Sequence, residues 1–283
     1  MSSSAVSQQL AKLEAEVGQQ LIERAGRGVR LTEAASLLVV HATRLLHDVE
    51  YIEGELNAFA GEVAGTVTVA AFATAARGVG PALVRQLSVE HPALRIHLIE
   101  MEPADSLTLL MRGDVDVVIL QDWFNNPLVM PASTSRLALF DDVVDLALPS
   151  THRFADRRGL ALIDLLDEEW VTWPPGSICG DWLTHTFRLL GRDPKVSHTA
   201  AEHATQLALV AAGLGAAVIP RLGRGDIPSG VSIVSIRPTL LRHVFAAWRT
   251  NSAKRSNITA VQGTLQRLAP RLARNATRRR SPL

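Results

Sequence analysis

The chain has 283 residues, 47% of them hydrophobic and 20% charged, with a formal net charge of +1. This composition is typical of a folded globular protein and excludes a protein that coats nucleic acid over its whole surface. No apolar run approaches the roughly 20 residues that a membrane helix needs, and the start has no charged-then-apolar signal pattern, so we expect a cytoplasmic protein.

Residues 2–18 predict an amphipathic helix. Apolar side chains recur at Val6, Leu10, Leu13 and Val17, the spacing of one helix face, and the glycine that follows is suited to end the helix. The other face carries hydroxyl and amide groups and one cation, which suit the major groove of DNA; the alternative is a solvated face with serine caps. The predicted DNA contacts are Ser2, Ser3, Ser4, Ser7, Gln8 and Lys12.

A basic segment follows at residues 24–30. Two glycines in it allow a hairpin tip, and its arginines suit phosphates or a narrow minor groove. We therefore predict DNA contacts at Arg24, Arg27 and Arg30. The alternative is an ordinary basic loop.

In this order the two segments resemble the LysR-type transcriptional regulators. That family has a Ser-x-x-Ala-Val-Ser recognition helix, then an arginine wing and a Leu-Thr-Glu-Ala motif. The resemblance implies a partial winged helix-turn-helix domain over residues 1–31 that binds double-stranded operator DNA. The matching residues are Ser2, Ala5, Val6, Ser7, Leu13, Glu14, Gly18, Glu23, Arg24, Gly26, Arg27, Leu31, Thr32, Glu33 and Ala34.

The sequence departs from the family at its start. Family members carry two helices before the recognition helix, and these cover its apolar face and hold it in the groove. Here Met1 stands directly before that helix. We expect either a true start upstream of Met1 or a truncated regulator, and in both cases poor DNA binding by the chain as it begins at Met1.

Residues 32–60 predict a long amphipathic helix, because leucine, valine and isoleucine recur there at intervals of three and four. Its apolar stripe needs a cover, and the resemblance implies the linker helix through which the family dimerises. The alternative is packing on its own domain. Gly61 and Gly65 bracket a short predicted hinge.

From residue 66 onward strands alternate with helices, which predicts an α/β fold with parallel βαβ units. A strand at 66–72 leads into a helix through Val79 and Leu87, and a strand at 142–149 leads away from this first group. The pattern then repeats, with late strands at 231–236 and 242–248.

The chain passes from the first group of strands and helices to the second and then returns. This order predicts a domain of two lobes joined by a hinge, like a clamshell. The resemblance implies the family's periplasmic-binding-protein-like effector domain over 66–273, and it covers essentially the whole chain. We assign lobe I to 66–141 with 240–273 and lobe II to 142–239. Residues 274–283 are basic and are predicted to be disordered.

In open α/β sheets, ligands bind beyond the carboxyl ends of the strands, often at helix N-termini. This rule predicts a small-molecule effector, with neither cofactor nor metal, between the lobes. Free amides and hydroxyls favour an anionic effector, whereas Asp122 and Glu202 would repel one, so its polarity stays open. The predicted contacts are Ala73, Thr74, Ala75, Gln121, Asp122, Thr172, Trp173, Gly176, Ser177, Glu202, His203 and Thr205.

Other interpretations of these residues remain open. Thr74, Ser177 and Thr205 are equally suited to cap helices, and Trp173 is more often a core residue than a stacking surface. Cys179 precedes a predicted helix whose dipole would lower its thiol pKa, but a small buried residue is the alternative. Being the only cysteine, it excludes an internal disulfide.

Common catalytic motifs such as His-Glu-x-x-His and Gly-x-Ser-x-Gly are absent from the sequence, which argues against an enzyme. We predict a ligand-responsive transcriptional regulator that forms a dimer or tetramer, binds operator DNA and contacts RNA polymerase. The alternatives are a truncated dimer deficient in DNA binding and a cytosolic solute-binding protein of the same fold.

Overall fold

The computed structural model describes residues 3–26, 28–59 and 63–277. The chain divides into two compact units, Met1–Gly54 and Glu55–Leu283. Two predicted DNA contacts, Ser2 and Arg27, lie outside the described residues, as do the side chains of Ser3 and Ser4.

The first unit contains the predicted helix, the hairpin and most of the long helix. Gly18 ends the first helix with a φ of +68°, where its amide donates to the Glu14 carbonyl at 2.9 Å. The Glu14 carboxylate accepts from the Leu21 amide at 2.7 Å, which ties the helix to the hairpin. The elements are α1 (Ser3–Val17), β1 (Ile22–Ala25), β2 (Gly28–Leu31) and α2 (Glu33–Phe59), which continues into the second unit.

Both helices of this region expose apolar side chains. On α1, Val6 is 50% exposed, and on α2, Leu45 is 66% and Leu56 63% exposed. A helix stripe of this kind needs an apolar partner surface, as a dimerisation helix does.

The second unit is built on a six-stranded sheet in the order β4-β3-β5-β10-β6-β9. Its first three strands in chain order pair in parallel, and the long strands β10 and β6 pair antiparallel. A second, two-stranded parallel sheet joins β7 and β8. The strands are β3 (Gly65–Ala71), β4 (Leu94–Glu100), β5 (Val117–Trp123), β6 (Thr134–Pro149), β7 (Glu169–Thr172), β8 (Lys195–Thr199), β9 (Ala217–Pro220) and β10 (Val231–Arg249).

Helices cover these sheets in two lobes. In the first lobe, the face that packs on α4 and α8 has a core that includes Leu83 and Leu265, while the opposite face packs on α5 through Leu110. In the second lobe, Trp170 and Phe187 lie in a separate core. The helices are α3 (Ala73–Gly78), α4 (Gly80–Glu90), α5 (Pro103–Arg112), α6 (Ile178–Leu189), α7 (His203–Ala211) and α8 (Ser256–Thr277).

The structure departs from the predicted elements in three places. The helix after β3 is broken at Val79, because Pro81 has no amide hydrogen to continue the helical hydrogen bonds. The two predicted late strands are one strand, β10. The predicted disordered tail is wrong for residues 274–277, which continue α8 and bury Ala276 completely, whereas 278–283 lie outside the described residues.

In the described residues, no helix is both long enough and apolar enough to cross a membrane. The predicted lobe limits at 141/142 and 239/240 remain predictions.

Candidate functional site

Arg242 lies at the centre of the second unit, where the carboxyl ends of β3 and β5 meet the long strands. Its Nη2 donates to Thr74 Oγ1 at 2.7 Å, its Nε donates to Asp142 Oδ2 at 2.8 Å, and its Nη1 donates to Gln121 Oε1. The guanidinium carbon also lies 5.1 Å from the centroid of the Phe72 ring. One buried cation therefore joins segments that are far apart in the sequence.

The Arg242 side chain is 1% exposed and that of Asp142 is completely buried. A buried charge needs a partner and hydrogen bonds, because it has lost its water. Asp142 supplies the charge, and its second oxygen accepts from the Leu222 amide at 2.8 Å. Burial raises the pKa of Asp142 even though Arg242 opposes that shift.

Cys179 extends this network into the second lobe. Gln121 accepts from Arg242 through its carbonyl and donates through Nε2 to Cys179 Sγ at 3.2 Å. Burial raises the pKa of the Cys179 thiol to about 12. The thiol is therefore a protonated, buried group, and the interpretation of Cys179 as a small buried residue fits better than a helix-activated thiolate.

A cavity of about 250 Å³ opens beside Thr74. Its walls come from α3, from the start of α7 and from the segment after β9, so both lobes contribute. Arg77 on α3 donates to the Gly223 carbonyl at 3.2 Å, which closes one side. The lining includes Thr74, Arg77, Glu202, His203, Leu207, Pro220, Arg224 and Asp226.

His203 is the least satisfied polar group of this cavity. It is 9% exposed, and in the described residues neither ring nitrogen has a hydrogen-bond partner. Its ring meets Trp173 edge-on, with 5.1 Å between centroids. Burial, and to a smaller extent the charges of nearby arginines, lower the pKa of His203 to about 3. These arginines are Arg242, Arg77 and Arg224.

Two more buried polar atoms of the second lobe also lack partners within the described residues. They are Thr172 Oγ1, at the end of β7, and Gln206 Oε1, one turn into α7. Buried polar groups are normally paired, so an unpaired one at a cavity wall, as His203 is, indicates a place where water or a ligand binds.

Arg224 and Arg221 hold the wall after β9 in place. Both donate to Asp145, at 2.9 and 2.8 Å respectively. Although burial alone raises the pKa of Asp145, the hydrogen bonds and charges of these arginines lower it overall.

Most of the remaining predicted contact residues cap the helices to which they belong. Glu202 caps α7 by accepting from the amides of Ala204 and Thr205, and Thr205 Oγ1 donates to the same carboxylate at 3.2 Å. Ser177 caps α6 by accepting from the Gly180 amide at 3.2 Å. The N-terminus of α7 therefore already carries a carboxylate.

A second connection between the lobes lies beyond β5. Trp123 stacks on Trp182 of α6, with 4.1 Å between the ring centroids. Asn125 bridges to the same helix, because it accepts from Trp182 Nε1 and donates to Thr186 Oγ1, both at 3.0 Å.

The structure brings together Thr74, Gln121, Trp173, Glu202 and His203 from the predicted set. Ala73 and Ala75 lie beside Thr74 on α3 and Thr172 ends β7, whereas Gly176 lies in the exposed turn before α6. Asp122 does not join this group: it faces away and pairs with His243.

Sequence reasoning missed Arg242, Asp142, Arg77 and Arg224. The available signal was a charged residue inside an otherwise apolar strand, which for Arg242 and Asp142 indicates a buried pair.

In the first unit, Ser7, Gln8 and Lys12 are exposed on α1, and Lys12 lies 3.8 Å from Glu16. In the hairpin, Glu23 faces Arg30, and Arg30 Nε donates to the Glu23 carboxylate at 2.5 Å. The Arg24 side chain is exposed. This surface offers the hydroxyl, amide and cationic groups that bind DNA.

Two family models match the chain. Residues 1–36 match the bacterial regulatory helix-turn-helix protein, lysR family, and residues 60–270 match the LysR substrate binding domain. The chain is 29% identical over 240 residues to the HTH-type transcriptional regulator TtuA of Agrobacterium vitis, covering 82% of this chain and 76% of that protein.

Two solved structures share the fold. A full-length OxyR variant from Pseudomonas aeruginosa, in which one cysteine is replaced by aspartate, superposes with a TM-score of 0.72 at 22% identity, covering 99% of this chain and 90% of that one. Full-length CbnR complexed with its target DNA superposes with a TM-score of 0.65 at 21% identity, covering 94% and 90%.

Proposed function

Because the chain belongs to the LysR family of DNA-binding transcriptional regulators, we propose that it responds to a small effector bound in the cavity beside Arg242 and His203. The family match over residues 1–36 favours this function over a solute-binding protein of the same fold. The observation that carries the effector site is His203, a buried imidazole with two unpaired nitrogens, within the described residues, at the wall of a cavity that both lobes form.

The effector that fits best carries an anionic group. The surrounding arginines create a positive electrostatic field at His203, which helps to keep the imidazole neutral. The same field stabilises a ligand carboxylate. Arg77 is the natural contact, because it lines the cavity and a guanidinium has further N–H donors beside the Nε that Gly223 engages. A neutral His203 supplies one donor and one acceptor to the rest of the ligand.

Binding would bias the two lobes toward one arrangement. An effector shifts such an equilibrium only by its differential affinity for the two states. Here the contacts that differ are those that span the lobes, on α3 and α7. In a dimer joined through α2, a change in each effector domain would alter the placement of the DNA-binding helices and the contact with RNA polymerase.

The rest of the proposal follows from this role. We assign DNA contacts to the exposed faces of α1 and the hairpin, through Ser7, Gln8, Lys12, Arg24 and Arg30. The family consists of regulators, which are not enzymes, so we propose no catalytic step. We also propose a cytoplasmic location and an effector in place of any cofactor.

DNA binding is tested by fluorescence anisotropy on the DNA flanking the gene, over a range of salt concentrations. Affinity should fall with salt, and Arg24→Ala should reduce the slope of log K against log salt by about one. Lys254→Ala, an exposed charge in the second unit, should leave the slope unchanged. Binding that does not depend on salt would contradict the proposal.

Effector binding is tested separately, with a panel of small carboxylates and their amides in thermal-shift and calorimetric assays. Carboxylates that bind should lose about tenfold or more in affinity in Arg77→Gln, the loss of one charge-assisted contact. Arg85→Gln, an exposed residue of α4, is the matched control. Carboxylates that bind both variants equally would place the site elsewhere.

A further inference from the structure

A second cavity, of about 490 Å³, lies in the first lobe on the face of the sheet opposite to Arg242. A row of three polar residues forms one end, because Asp122 of β5, His243 of β10 and Asp141 of β6 lie opposite one another across the strands. Neighbouring residues of a strand point to opposite faces, so His243 faces away from the side on which Arg242 lies.

The floor of this cavity is apolar. Phe245 and Ala138 form the next row on the same face, two residues along β10 from His243. Phe124 stands at the rim and is 89% exposed, which is unusual for a phenylalanine. The N-terminal part of β6, residues 134–141, pairs only with β10 in the described structure, so the cavity lies at a sheet edge.

At the polar end, hydrogen bonds hold Asp122 and His243 in place, and the Asp141 side chain is accessible to a ligand. His243 Nδ1 lies 2.9 Å from Asp122 Oδ1, and Asp122 Oδ2 accepts from the Leu128 amide at 3.3 Å. Both oxygens of the Asp122 carboxylate are therefore engaged, one by His243 and the other by Leu128. Asp141 lies 3.9 Å from His243 Nε2 and its side chain is 56% exposed, so it can meet a ligand.

The opposite end carries a cation that is turned toward the floor. The guanidinium carbon of Arg136 lies 5.9 Å from the centroid of the Phe245 ring. The lining therefore holds two carboxylates, one guanidinium and one imidazole, and Asp141 is the carboxylate that is exposed. A carboxylate beside aromatic rings favours an organic ammonium group, through charge and cation–π attraction.

We propose that this cavity binds an aromatic primary amine, with its ammonium group on Asp141 and its ring against Phe245 and Phe124. This is a second ligand site, separate from the effector site. It is also connected to that site, since Asp122 and His243 are the sequence neighbours of Gln121 and Arg242. A ligand that shifts the outer row moves the backbone that carries the buried cation network.

The test uses the full chain and 2-phenylethylamine, with phenylacetate as the anionic counterpart of similar size. Isothermal titration calorimetry should show saturable binding of the amine at millimolar or lower concentration and none for the acid. Asp141→Asn should weaken amine binding about fivefold or more, the loss of one partly exposed ion pair. Asp156→Asn, an exposed carboxylate elsewhere in the second unit, is the matched control.

A second variant tests the cavity and not the charge. Ala138→Leu adds bulk at an exposed lining position of the sheet edge, which a folded chain tolerates, and it should also weaken amine binding at least about fivefold. The proposal is overturned if 2-phenylethylamine does not bind, if phenylacetate binds as well, or if both variants bind the amine like the unmodified chain.

Discussion

Arg242 and Asp142 lie opposite each other on β10 and β6, with 2.8 Å between Arg242 Nε and Asp142 Oδ2 and almost no exposure of either side chain. A pair of charges buried in this way is stable only as a pair. Removing one member leaves the other without water and without a counter-charge, whereas removing both leaves neither charge behind.

Arg242→Met should therefore lower the free energy of unfolding by about 3–5 kcal/mol, while the double variant with Asp142→Leu should lose less than the sum of the two single changes. Urea unfolding monitored by circular dichroism measures both. Arg85→Met, exposed on α4, is the control for loss of a surface arginine. A loss below about 1 kcal/mol in Arg242→Met would show that the pair behaves like an exposed one.

The stability of the chain should depend on pH through His203. Burial and nearby arginines lower its pKa to about 3 in the folded chain, against about 6.5 when unfolded. As the pH falls below about 6.5, the unfolded state takes up a proton that the folded state does not, so stability is lost.

This single group should contribute a slope of up to about 1.4 kcal/mol per pH unit between about pH 6 and 5. Urea unfolding at several pH values should show a shallower dependence in His203→Gln. His185→Gln, exposed on α6, should keep the original dependence. Identical slopes in the unmodified chain and His203→Gln would mean that His203 titrates normally in the folded state.

The Cys179 thiol should react slowly while the chain is folded. Burial raises its pKa to about 12, so at about pH 8 almost none is thiolate, the reactive form. Labelling with a disulfide reagent should be slower than in urea by at least about 100-fold. Rapid labelling of the folded chain would instead indicate that the region around Gln121 and Cys179 opens readily.

The hairpin should bind DNA more tightly when Glu23 loses its charge. Glu23 holds Arg30 at 2.5 Å and places a negative charge on the surface proposed to meet phosphates. Glu23→Gln should raise DNA affinity about two- to fivefold at low salt, and the gain should shrink as salt screens it. Asp156→Asn, an exposed carboxylate of the second unit, is the comparison. A loss of affinity would mean that the pair is needed to hold the hairpin.

Much of the fold was accessible from sequence because local patterns define it. Gly18 ends α1 as its position predicts, and the alternation of strands and helices indicates the α/β class. The buried network beside the effector cavity was harder to predict, because strand register brings its residues together. Arg242 reaches Thr74 and Gln121 only once β10 lies between β5 and β6, and no spacing in the chain encodes that pairing. Asp122, one residue from Gln121, was predicted beside it for the same reason, although it pairs with His243.

The end of α8 shows a related difficulty. Residues 274–277 are basic and look like a solvated tail, yet Ala276 is completely buried in the first lobe's core. Composition describes the average of a segment and does not reveal that a single small residue in it packs into the core.

The strands β6 and β10 run without interruption through both lobes, and their pairing is irregular at two points, between Ser235 and Leu240 and between Val244 and Phe245. These irregularities lie on either side of Arg242. A two-stranded ribbon bends most easily where its hydrogen-bond pattern is interrupted, and it is stiffer where the pattern is regular. Any opening of the clamshell should therefore bend the ribbon at these two irregularities, with Arg242 held in the regular stretch between them.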